Sequence, residues 1–105
     1  MEVEIKKSTR STKKLMAIFF KDGKKIKTTH FGSAANKDFT IYSKEDGKKI
    51  ANERKSLYYA RHSKREDWDK FQTAGSLSKY LLWNKPTLKA SIADYVKKFK
   101  LKLRK

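Results

Sequence analysis

The chain has 105 residues, no cysteine, and 28 Lys or Arg against 11 Asp or Glu, a net charge of +17. That length is one domain, residues 1–105, and the missing cysteine excludes disulfides and thiolate metal sites. No apolar run reaches the roughly 18 residues of a membrane span, and the opening MEVEIKKST lacks the apolar stretch of a secretory leader, so no membrane partner and no secretion are expected.

Val3 and Ile5 alternate with Glu2, Glu4 and Lys6, the pattern of a short half-buried strand. Lys6 to Lys14 is polar and basic, a loop. Leu15 to Phe20, LMAIFF, is an apolar run whose length and Ile/Phe content fit a central strand. Asp22-Gly23 between strand-like runs is a hairpin signal. The return strand, Lys24 to Phe31, alternates Ile26, Thr28 and His30 with Lys25, Lys27 and Thr29, leaving one basic, solvated face. A three-stranded antiparallel sheet is expected over about residues 2–31.

Asp38 to Tyr42 fits either a capped helical turn or a short strand. Residues 48–62 are expected to form a helix that begins after Asp46-Gly47, with Ile50, Leu57 and Tyr58 sharing a face with Arg54 and Arg61. Ser63 to Lys70 is a charged connector in which Trp68 is expected to anchor on the core. Residues 75–83 are expected as a helix, with Leu77, Tyr80 and Leu81 on its apolar face. A second is expected over 86–100, with Pro86 in its first turn, where its missing N–H costs nothing. Leu88, Ile92, Tyr95, Val96 and Phe99 fall on one face of this last helix. Residues 97–105 are a basic tail. Six Phe, five Tyr and two Trp argue for a packed core despite the charge. The fold class is α+β: a small N-terminal antiparallel sheet of about three strands, packed by about three C-terminal helices.

The charge is uneven. Residues 1–31 carry nine bases and three acids, residues 32–69 nine and seven, and residues 70–105 ten and one. Both ends are therefore strongly basic, a field that favours polyanions. Only five bases are arginines: Arg10, Arg54, Arg61, Arg65 and Arg104. Lysine is a point charge suited to phosphate, whereas arginine is the usual bidentate reader of guanine. The bias points to contact with a backbone and away from base readout.

Several motifs stand in order: HFG (His30–Gly32), DFT (Asp38–Thr40), YYARH (Tyr58–His62) and EDW (Glu66–Trp68), then TAGSLSKYLLWNKPTL (Thr73–Leu88) and ASIADYVKKF (Ala90–Phe99). Together they resemble a family of small basic proteins of large DNA viruses of algae and protists, with relatives in some phages. The resemblance spans about residues 13–100, and LLWNKPTL is its most specific part. The loop after HFG is longer here than in the family pattern. The family has no assigned activity, so the resemblance implies no catalytic residue. It implies a viral protein located in the virion or the interior of the host cell.

Candidate chemistry is sparse. His30 fits a strand position and His62 a helix end, where a cation suits the dipole. Glu45, Asp46, Glu66, Asp67 and Asp69 lie among bases, which favours pairing over a metal site. Gly23, Gly32, Gly47 and Gly75 have no phosphate-loop spacing, and Ser76 and Ser78 lack a companion base. Catalysis, a metal and a cofactor are therefore not expected. The live signal is basic residues interleaved with aromatics. Candidate nucleic-acid-binding residues are Lys24, Lys25 and Lys27 of the hairpin, Tyr59, Arg61, Lys64 and Arg65 in the middle, and Lys97, Lys98, Lys100, Lys102 and Arg104 at the end. The expected partner is the phosphate backbone of a nucleic acid. The alternative is a minor structural protein of the virion or capsid, its basic tail acting as an arm against acidic protein surfaces.

Overall fold

A computed structural model describes residues 1–104. Strands β1 (Glu2–Lys7), β2 (Lys13–Lys21) and β3 (Lys24–Ser33) form the expected antiparallel meander. Asp22 and Gly23 both have positive φ, 52° and 78°, the turn that matches strand twist in a two-residue hairpin. A fourth strand, β4 (Lys102–Leu103), pairs parallel with β1, so the order is β3-β2-β1-β4. The basic tail is thus tied to the sheet edge: the Lys102 amide donates to the Met1 carbonyl and that of Arg104 to Val3.

Four helices follow the meander where about three are expected. Asp38 settles the ambiguous segment as a helix, α1 (Phe39–Glu45), because its carboxylate accepts from the Ile41 amide. The same carboxylate holds the Lys14 ammonium at 2.7 Å. Helix α2 (Lys48–His62) has the expected bounds. Its packing differs, since Tyr58 is buried while Ile50 and Leu57 are 40% and 60% exposed. Helix α3 (Ala74–Leu77) is capped by Thr73 and runs into a π-helical turn (Ser78–Leu82). That wider turn buries Tyr80, Leu81 and Leu82 in succession. Helix α4 (Leu88–Lys98) starts two residues later than expected. The Thr87 side chain caps it by accepting from the Ala90 amide, which leaves Pro86 just outside.

The core lies between one sheet face and the segments that follow α2. Val3, Ala17, Phe19 and Phe31 from the sheet meet Leu77, Tyr80, Leu81, Leu82 and Tyr95. Trp68 packs at the border of this cluster, as an anchor should, and Leu88, Ile92, Val96 and Phe99 of α4 pack against it. The Tyr95 hydroxyl, fully buried, donates to the Phe71 carbonyl. Helix α4 ends with Lys100 at φ 54° and the Leu101 amide bonded to the Val96 carbonyl, a helix terminus usually made with glycine. Met16, Ile18 and Phe20 point to the opposite sheet face, sheltered by their register partners on β1 and β3.

Candidate nucleic-acid interface

The bases are almost all without acidic partners. Among the described residues, only Lys14 and Lys37 form ion pairs with carboxylates, Lys14 with Asp38 and Lys37 with Glu45 and Asp46. Glu45 and Asp46 thus pair with a base as expected, whereas Glu66, Asp67 and Asp69 do not. Among the described residues, no three of His, Cys, Asp or Glu gather as metal ligands would.

The candidate residues fall into three places. The first is one end of the sheet. Across the strands, Lys102 pairs with Glu2, Glu2 with Phe20, and Phe20 with Lys25. At roughly 4.8 Å per strand, that row brings tail and hairpin bases to within about 15 Å of each other. Lys24 sits beside it in the turn, opposite Lys21. The Arg104 guanidinium lies 3.9 Å from the centroid of the Phe20 ring. Lys27 does not join them: an irregularity opposite Phe19 and Phe20 puts it in register with Phe19, on the core face. There it lines a small pocket of about 320 Å³ with Asp69 and Phe71.

The second place is the C-terminal end of α2. Arg61 lines an open groove of about 960 Å³ between the start of β2, the end of β3, α2 and α3. Lys64 and Arg65 follow in the exposed connector. The groove floor is an aromatic stack: Tyr58 lies parallel to Trp83 at 4.5 Å, and His62 sits 4.4 Å from Tyr58. Its lining also includes Lys13, Lys14, Arg54 and Arg61 with Asp38 and Glu66.

The third place was only partly legible from sequence. Tyr59 and Lys98, both candidates, share a surface with Lys55 and Lys79, which sequence reasoning passed over. The Tyr59 hydroxyl donates to the Trp83 carbonyl, and the Lys55 ammonium to the Asn84 carbonyl, both at 2.7 Å. These two bonds fasten α2 to the loop before α4. The Lys79 ammonium lies 4.2 Å from the Trp68 ring, 4.6 Å from Tyr80 and 5.6 Å from Tyr59. Burial, then the nearby Lys85 and Lys79, holds the Lys55 ammonium below the usual lysine range. Burial and Lys98 do the same to Lys79, with Asp69 opposing. Burial also pushes the Tyr59 hydroxyl up to about 12. One signal was present in the sequence: Lys55 and Tyr59 are four apart and therefore share a helix face. Lys97 and Lys98 occupy the last turn of α4, and Lys100 forms its terminus.

No family model, curated protein or solved structure matches this chain.

Proposed function

We propose that this is a non-enzymatic viral protein that binds nucleic acid without regard to sequence, through phosphate contacts from its lysine-rich surfaces. The observation that carries the reading is the near-complete absence of carboxylate partners for its bases: among the described residues only Lys14 and Lys37 have them. A chain at +17 with its cations unpaired repels itself and gains by releasing counterions from a polyanion. The meeting of Lys24, Lys25, Lys102 and Arg104 at one sheet end supports a shared contact with phosphates.

The test is anisotropy of a labelled random duplex and a random single strand between about 50 and 300 mM salt. A protein touching six to ten phosphates loses roughly 10³–10⁵ in duplex affinity between 50 and 200 mM. Changing Lys24, Lys25, Lys102 and Arg104 to Gln should weaken binding and flatten the salt slope. Absence of binding to either strand form at 50 mM overturns the proposal.

A second reading, docking on acidic proteins of the particle, is favoured by the exposed Ile50 and Leu57 on α2. Its basic arm would have to act from a docked position, because residues 97–98 are helical and 102–103 are paired to β1. Co-sedimentation with particle proteins that survives loss of nucleic-acid binding in the Gln variant would favour this reading.

A further inference from the structure

Two aromatic rings are shared by three lysines. Lys55 and Lys79 both lie over Tyr59, at 5.7 and 5.6 Å, so their ammonium groups are within about 11 Å of each other. Lys79 and Lys98 both lie over Tyr80, at 4.6 and 5.6 Å, which places that pair within about 10 Å. The three cations therefore form a continuous row across α2, the π turn and the end of α4. Lys55 spends one of its three N–H donors on Asn84, and Lys79 and Lys98 make no hydrogen bond to a described protein group. The lysine stems lie on apolar ring surface while the ammonium heads keep donors to offer. Asp69 is the acid that acts on Lys79, and it forms no ion pair with it.

The same rings are poor platforms for a base. Tyr80 is only 8% exposed. Tyr59 is tied through its hydroxyl and crossed by two lysines, and Trp68 carries Lys79 on its face. On the ring faces that the lysines cover, a nucleobase would have to displace an ammonium group to stack.

We propose that Lys55, Lys79 and Lys98 form a seat for consecutive phosphates of a nucleic-acid strand, in which the aromatics position the lysines and the bases are not touched. The inference rests on the nucleic-acid reading above and adds to it a second contact surface, beside the sheet end, and its mode of contact.

The experiment compares three proteins, each confirmed folded by circular dichroism: the wild type, Lys79→Gln/Lys98→Gln, and a charge-matched control, Lys7→Gln/Lys44→Gln, which lies outside the row. Each is titrated against labelled dT20 and against a strand of the same length with abasic sites throughout. The row variant should lose at least about tenfold in affinity at 100 mM salt, and its salt slope should fall by about 1.4, the value for two single-strand phosphate contacts. The control should lose much less. Wild type should bind the abasic strand within about threefold of dT20. Lys98→Gln alone, at an exposed position, repeats the test if the double variant is unfolded, with about half the change in slope. Equal losses in row and control variants, with wild-type binding intact, overturn the seat and leave the general reading standing. A preference for dT20 above about tenfold shows base stacking and also overturns it. No binding of either strand by wild type at 50 mM overturns both.

Discussion

Gly32 offers the sharpest test of how the helices sit on the sheet. Its φ is +80°, and a methyl group added there would stand 2.5 Å from Leu82 Cδ1 and 3.4 Å from Lys14 Cβ. Two separable costs follow for Gly32→Ala. The left-handed backbone costs a residue with Cβ about 1–2 kcal/mol. Overpacking a closed contact costs about 1–3 kcal/mol more. Leu82 cannot simply swing away, because it is 5% exposed and belongs to the π turn that fills the core. The total of about 2–5 kcal/mol is a large share of the 5–15 kcal/mol typical of a whole domain. At about 4–8 °C per kcal/mol, it lowers Tm by roughly 8–40 °C. Gly23 is the internal control: its φ is +78°, but nothing lies within 4 Å of the built Cβ. Gly23→Ala should therefore show only the backbone cost of about 1–2 kcal/mol. Urea unfolding followed by Trp fluorescence, with thermal melts in parallel, measures both. If Gly32→Ala costs no more than Gly23→Ala, the close approach of the π turn to the end of β3 is refuted.

Other perturbations test separate contacts. Lys100→Gly relieves a left-handed terminus and should stabilise by about 1 kcal/mol; a loss of stability in denaturant titration would refute that account of the end of α4. Tyr95→Phe removes the donor to the Phe71 carbonyl and should cost about 1–2 kcal/mol in the same assay, whereas a neutral result would mean the bond contributes nothing. Asp38→Ala removes the cap of α1 and leaves Lys14 unpaired, so a loss of about 2–4 kcal/mol is expected, and one below about 0.5 kcal/mol would contradict the pairing. In the folded protein burial pushes the Tyr58 and Tyr59 hydroxyls up to about 12, while the unfolded chain releases the same protons near pH 10. The contribution of these two groups is therefore fully present below about pH 10 and is lost as the pH rises toward 12; a urea midpoint whose change between pH 9.5 and 11.5 is the same in wild type and in Tyr58→Phe/Tyr59→Phe would refute it.

What was legible in the sequence is what local chemistry decides. Asp22-Gly23 fixed the hairpin because both residues tolerate positive φ, and LMAIFF marked the central strand by its unbroken apolar run. The face Leu88, Ile92, Tyr95, Val96 and Phe99 located α4, although Thr87 outcompeted Pro86 in setting its start. Strand β4 was hidden because two residues become a strand only through a partner at the far end of the chain. The packing of α2 was misjudged for a related reason. No long apolar stripe holds this helix; Ala51 is buried on it, and the Tyr58–Trp83 stack with the bonds from Tyr59 and Lys55 to the Trp83–Asn84 carbonyls fastens it. The Lys55–Lys79–Lys98 row joins three elements by side chains alone, and no spacing along the chain encodes it.

The pairing of β1 with β4 sets an order of events during synthesis. The three-stranded meander is complete once Ser33 has left the ribosome, but its core face then presents Val3, Ala17, Phe19 and Phe31 to water. Leu77 to Leu82 must arrive before that face is covered, and Lys102 before the outer edge of β1 gains its neighbour. At about 5–20 residues per second, the nascent sheet waits several seconds with an open edge and an uncovered apolar face. Lysines lie along those waiting strands, at the hairpin and at Lys6 and Lys7 on β1, and like charges on an open edge disfavour its pairing with a second chain.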